Sequence, residues 1–263
     1  MKKDKSEYTI QTVANALRLL EEFHGEEDLG VTELSKRLVL HKNNVFRLLA
    51  TLEQRGYIEQ RSATDRYGLG PGCLALGQAF SNSRDLLRRA RPNLVGLAQD
   101  TGESVHLGVM KGFEVVHLDG VASSELVGSP SRIGVELPIH CTALGKVLLA
   151  CSHERVREDF DRSLEPHAEL ERRTRRTIVD RSKFFEHIRT VAVQGHAFDL
   201  EECASGLTCV AAPVFDSRGE VVAAISVSGP SFRLRERILL DRILPPLAAA
   251  ADRLSRDLGY GVA

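Results

Sequence analysis

Two sets of side chains in this sequence have the types and spacing to do chemistry. The first is Lys42, Asn43, Asn44 and Arg47, at the start of an amphipathic segment over 43–55. There Val45, Leu48, Leu49 and Leu52 recur at three- and four-residue steps and share one face, which leaves Asn44, Arg47, Thr51 and Arg55 on the other. An amide side chain pairs with adenine and a guanidinium with guanine, each good bidentate pair worth ~1–3 kcal/mol of discrimination. Asn43, Asn44 and Arg47 are therefore candidate base-reading groups. Lys42 and Thr32 stand toward phosphates, and Arg61 and Arg66 toward the backbone or minor groove. Between 36 and 66, seven lysines and arginines face three acidic residues, a local excess of four on a chain of net charge -1. Phosphate neutralisation asks for such a patch and not for a basic whole protein. An ordinary helical hairpin without a nucleic-acid role is the alternative, and this charge argues against it.

The second set lies late in the chain. Ser226 and Ser228 alternate with Ile225 and Val227, so both hydroxyls point to one face of a strand. Cys209 sits on the neighbouring strand, and Asp199 precedes a polar turn over 201–206. These groups suit a largely preformed pocket with a few converging polar atoms; on the other reading they are the solvent side of a half-buried strand. Residues 142–145 follow Pro138 and open a helix, whose free N–H groups and dipole favour an anion. A carboxylate beside Asp199 is tolerable only if Asp199 accepts donors elsewhere, is protonated or binds a ligand hydroxyl, and the last role is the one expected.

The first set needs helices and a hairpin to position it. Segment 31–38 buries Leu34 and Leu38, with Thr32 in place to cap it; after a tight break comes 43–55, then extended runs at 57–60 and 66–69 around a polar turn. Helix, turn, helix and hairpin is the plan of a winged DNA-binding head. Upstream, Ile10, Val13, Leu17, Leu20 and Phe23 fall at helical spacing and predict a support helix. After Gly70-Pro71-Gly72, a linker helix is expected over 73–80 and another over 86–98, interrupted at Pro92. From about 102 the pattern becomes strands at 104–110, 113–118, 207–215 and 221–227, with helices at 142–151, 182–193 and 234–258. The fold class is α+β with a largely antiparallel sheet. The domains read as 1–70 (winged head), 71–84 (linker helix) and 85–263 (ligand-binding and oligomerisation).

The whole chain sets outer bounds. Its 263 residues, 43% hydrophobic and 27% charged, suit two ordinary domains. No apolar run approaches the ~20 residues of a membrane span. The lysine-bearing start, MKKDKSEYTI, lacks the apolar core of a secretory signal. Five scattered cysteines without a Cys-x-x-Cys fit a reducing cytoplasm.

Six stretches together resemble the IclR family of bacterial transcriptional regulators. They are Arg47-Leu48-Leu49-Ala50-Thr51-Leu52, then Gly56-Tyr57 with Tyr67-Gly68-Leu69-Gly70, then Thr101-Gly102-Glu103-Ser104-Val105-His106-Leu107. The others run from Leu137-Pro138-Ile139-His140 through Cys141-Thr142-Ala143-Leu144-Gly145-Lys146, from Gly206 to Asp216, and from Ile225 to Pro230. The resemblance spans nearly the entire chain. It implies a winged head, a linker helix and a GAF- or PAS-like effector domain. It also implies a homodimer or dimer of dimers on a double-stranded operator, responsive to a small carboxylic acid. By the same resemblance the pocket uses backbone groups of Ala143 and Leu144, side chains of Asp199, Cys209, Ser226 and Ser228, and an apolar lining of Leu126, Leu137 and Leu207.

Other classes weigh less. A hydrolase built on Cys209 or a serine lacks the Gly-x-Ser-x-Gly elbow, so no enzyme and no cofactor is expected. A metal-responsive regulator would draw on His140, Cys141, Cys203 and Cys209, whose spacing matches no zinc signature. A sensor acting through protein partners is the remaining alternative. The basic run over 171–176 reads as a solvated edge or loop.

Overall fold

The structure, a computed structural model, describes residues 8–83, 85–130, 132–165 and 168–261. The lysines of the first seven residues lie outside this range. The chain divides into two compact units, Met1–Arg84 and Asp85–Ala263, with the helix after the wing in the first.

The first unit holds α1 (Gln11–Glu21), α2 (Val31–Leu38), α3 (Lys42–Gln54), β1 (Ile58–Arg61), β2 (Arg66–Leu69) and α4 (Pro71–Ser83). Leu34 and Leu38 of α2, Val45 and Leu49 of α3, Ile58 and Tyr67 close one core with Leu19, Phe23 and Leu29. The break between α2 and α3 is made by Val39, left-handed at φ 56°, while the Ser35 hydroxyl donates to the Leu40 carbonyl at 2.6 Å. Gly70 cannot be replaced cheaply, because a Cβ there would lie 2.5 Å from the Gly56 carbonyl oxygen. Two expectations need correction. Thr32 does not cap α2: the N-cap is Gly30, and Thr32 lies exposed inside the helix. In α1 and the turn after it the buried stripe is Leu19 and Phe23 with half-buried Ala16 and Leu20, whereas the N-cap Ile10, Val13 and Leu17 are exposed. This segment is apolar on more than one side, so periodicity alone fits two stripes, and packing on α2 and α3 selects one.

The second unit is built on a six-stranded antiparallel sheet in the order β5-β4-β3-β8-β7-β6. Its strands are β3 (Ser104–Lys111), β4 (Glu114–Val121), β5 (Glu136–Pro138), β6 (Ala197–Leu200), β7 (Leu207–Phe215) and β8 (Val221–Pro230). One face, with Val105, Leu107, Val210, Ala212, Ile225 and Val227, packs on α5 (Asp85–Thr101) and α10 (Leu244–Asp257). The other face carries Val115, Ala197, Ala211 and Ala224 under α6 (Ala143–Cys151) and α8 (Arg181–Gln194); α7 (Glu154–Ser163) adds Phe160. Helix α5 runs unbroken through Pro92 and is not interrupted there. Pro92 is exposed, so water can satisfy the carbonyl its missing N–H leaves unpaired. The final helix is also not one regular rod. α9 (Glu236–Ile238) passes through a π turn, Leu239–Ile243, before α10. Pro245 and Pro246 cannot donate to the preceding turn, and the wider turn falls where those bonds are missing.

Candidate functional site

In the first unit α3 exposes Lys42, Asn43, Asn44 and Arg47, and no side chain or backbone group among the described residues pairs with any of the four side chains. Phe46, missed by the sequence reading, stands 56% exposed beside them. The wing arginines differ. Arg66 donates to Asp28 through Nε, to the Asp28 carbonyl at 2.9 Å and to Glu33 Oε2 at 3.2 Å. It fastens the hairpin to the head. Arg61 donates to Glu27 Oε1 at 3.1 Å and to the Glu27 carbonyl at 3.5 Å, and keeps about half its side chain in solvent. Counting charges along the sequence could not foresee that the acidic 26–28 loop would lie against the wing.

In the second unit the strand register brings the polar groups together. Ser104 pairs with Ser228, His106 with Ser226, Cys209 with Ser228 and Asp199 with Cys209, so all share the face that α6 and α8 cover farther along. Beyond the end of that apolar cover lies a small cavity of about 20 Å³. Leu137, Ala143, Leu144, Asp199, Leu207, Cys209, Ser226 and Ser228 line it, the resemblance-derived set with one exception. Leu126 is fully exposed and does not line the cavity. Its loop is fixed by Ser123 Oγ donating to the Gly102 carbonyl at 2.7 Å and Ser104 Oγ to the Ser129 carbonyl at 2.9 Å, an arrangement that turns Leu126 outward.

Four lining residues were missed, His106, His117, Ser129 and Arg132, while Thr142 opens the 142–145 segment expected to favour an anion. The Ser104–His106 alternation on β3 repeats that of Ser226 and Ser228, and was the signal available for His106. His106 Nε2 lies 3.1 Å from Ser228 Oγ, and His117 Nδ1 donates to the Val135 carbonyl at 3.2 Å. Burial first, then neighbouring positive groups, pushes His106 down to about 3; burial likewise brings His117 down to about 4. Both rings are neutral at physiological pH. Asp199 goes the other way. Burial raises it to about 7 against the pull of Lys146, although its Oδ1 accepts N–H bonds from Glu202 at 2.7 Å and Cys203 at 3.3 Å.

Helix α6 presents its N-terminus to this cavity. Thr142 caps it, accepting from the Gly145 N–H at 3.1 Å and donating to the Pro138 carbonyl at 3.0 Å. A Cβ on Gly145 would lie 2.2 Å from the Ile139 carbonyl oxygen, so the turn before α6 closes only on glycine. The N–H groups of Ala143 and Leu144 find no acceptor among the described residues. Arg132 has no ion-pair partner among them and lies close enough to Cys203 to favour its thiolate. His106 Nδ1 and Ser129 Oγ, both buried, have no hydrogen-bond partner among the described residues. One turn into α6, Lys146 is wholly buried, its Nζ donating to Glu202 Oε1 at 2.5 Å, which ties the helix to the loop after Asp199. His140 faces away, with Nε2 2.8 Å from the Glu171 carbonyl oxygen, and no group of three or more His, Cys, Asp or Glu among the described residues could hold a metal ion.

The family described as "Bacterial transcriptional regulator IclR C-terminal" matches residues 78–256, and the "IclR helix-turn-helix domain" matches 12–62. The chain belongs to the IclR family. This IclR-family chain is 34% identical over 257 residues to the HTH-type transcriptional regulator KdgR of Escherichia coli (strain K12), covering 98% of this chain and 96% of that one. It is 33% identical to the transcriptional repressor IclR of the same organism, over 86% of this chain and 82% of that protein. The crystal structure of the Thermotoga maritima IclR superposes with a TM-score of 0.79 at 28% identity, over 96% of this chain and all of that one. The protein is thus a DNA-binding transcriptional regulator with an effector-binding C-terminal domain, and its family is one of regulators and not of enzymes. No helix among the described residues is long and apolar enough to cross a membrane.

Proposed function

We propose that the effector is a small organic acid, held in the second-unit cavity, and that its binding changes the affinity of the heads for an operator. One observation carries this reading. Arg132, which has no carboxylate partner among the described residues, and the free N–H groups of Ala143 and Leu144 line one cavity. The acid's carboxylate takes these donors. Asp199, near half-protonated at neutral pH, meets a hydroxyl of the acid, and Ser226 and Ser228 complete the polar wall.

On the DNA side Asn43, Asn44 and Arg47 read base edges, Lys42 and Thr32 contact phosphates, and Arg61 adds a wing contact. The exposure of all six, and the lack of internal partners of Lys42, Asn43, Asn44 and Arg47 among the described residues, support this role. Two heads on a near-palindrome require a paired protein, here a homodimer or dimer of dimers. The apolar groups exposed at the start of and along α1 (Ile10, Val13, Leu17) and on α4 (Leu74, Leu76) support such pairing.

The test is binding of the full chain to the DNA upstream of its own gene, titrated with salt and then with a panel of small carboxylic acids. Tight, salt-sensitive binding altered by one acid is expected. Binding that no acid alters would remove the effector half, and no binding at any salt would leave a sensor acting through protein partners.

A further inference from the structure

Cys141 and Cys203 come from distant parts of the chain and meet beside the cavity. The two pack in one buried cluster with Leu137 and Val135, where the Cys141 thiol donates to the Pro138 carbonyl at 3.9 Å. Cys141 is fully buried, whereas Cys203 keeps 8% of its surface. Cys141 precedes the Thr142 cap of α6, and the Cys203 N–H donates to Asp199 Oδ1. The pair therefore joins the two segments that build the pocket.

The surroundings distinguish Cys203 from the other thiols. Burial pushes Cys73, Cys151 and Cys209 up, and Cys141, holding its proton against Cys203, goes up as well. The neighbouring Cys141 thiol, with Arg132 and Arg173 nearby, brings Cys203 down to about 6. A thiolate next to two guanidiniums with a second thiol in contact is the arrangement that reacts with peroxides and then closes a disulfide.

We propose that Cys141 and Cys203 form a peroxide-sensitive dithiol that closes into a disulfide across the wall of the effector pocket. The Cys203 thiolate attacks one oxygen of hydrogen peroxide; the O–O bond breaks, hydroxide leaves and takes a proton to become water, and Cys203 becomes a sulfenic acid. The Cys141 sulfur then attacks the Cys203 sulfur and gives up its proton, the S–O bond breaks and a second water leaves. Two thiols and one peroxide thus yield one disulfide and two waters, and a dithiol reductant reverses the change. The closed bond ties the α6 cap turn to the loop after Asp199, in parallel with the Lys146–Glu202 ion pair.

The experiment is hydrogen peroxide treatment of the full-length protein, followed by denaturing alkylation and peptide mapping. The expected result is one cross-linked Cys141–Cys203 peptide with Cys73, Cys151 and Cys209 still alkylated, and a higher unfolding temperature that dithiothreitol reverses. Cys141→Ser should stop at a sulfenic acid on Cys203 that dimedone traps, and Cys203→Ser should slow peroxide uptake at least about tenfold. A disulfide to any other cysteine, or alkylation of both thiols after peroxide exposure, overturns the proposal. The map of the unsubstituted protein decides this even if a variant fails to fold. None of these readings involves an organic acid, so failure here and failure of the effector reading are separate.

Discussion

The reading face of α3 and the cavity above α6 both present polar side chains without protein partners, yet the two cases carry different weight. On α3 the groups stand in water, where a lone Asn or Arg costs almost nothing and is the ordinary state of a surface. In the cavity His106 Nδ1 and Ser129 Oγ are shut away from solvent, where an unmet hydrogen bond costs ~1–3 kcal/mol. Buried groups also show what their neighbours do to them. Asp199 is held near 7 and the two histidines are forced neutral, whereas the exposed α3 face shows only an absence of internal competition. Function at α3 is thus read from fold and family, and at the cavity from local electrostatics.

The contrast can be broken in four ways, from the largest effect down. Lys146→Ala should destabilise the second unit by ~3–5 kcal/mol, because it strands Glu202 as a buried carboxylate without its cation. Chemical unfolding measures this, and a loss below ~1 kcal/mol would show the pair to be solvated. Arg132→Gln should weaken acid binding by ~2–4 kcal/mol while leaving DNA affinity without acid unchanged, read by calorimetry and by duplex titration. Equal loss of both would make Arg132 a folding residue. Arg47→Ala should cost ~1–3 kcal/mol at one base position of the operator and relax selectivity there. A uniform loss over all sequences would move Arg47 to the phosphates.

The fourth concerns pH. Burial raises Asp199 above its unfolded value, so folding favours the protonated acid. Its contribution to stability is complete below the unfolded carboxyl range and declines as pH rises through about 7. If the effector needs that proton, its affinity should fall about tenfold per pH unit above about 7, and Asp199→Asn should flatten the profile. A slope that persists in Asp199→Asn belongs to another group.

Much of the site was legible because strand alternation and helix caps are local. Ser226 and Ser228 share a face because side chains alternate along any strand, and Ala143 and Leu144 offer N–H groups because they follow a cap. Arg132 and His117 were not legible, since they enter the cavity from a loop and a strand whose placement depends on sheet order. Leu126 shows the reverse error, a suitable residue type carried outward by its loop.

The sequence by itself determined the element order, the polar face of α3 and the strand faces, because each depends on residues within one or two turns or pleats. Tertiary structure alone decided which apolar stripe of α1 is buried, that Arg66 pairs with Asp28 and Glu33, and that Cys203 meets Cys141 and Arg132. Those outcomes rest on contacts between segments far apart in the chain, where no periodicity relates one residue to the other and only packing brings them together.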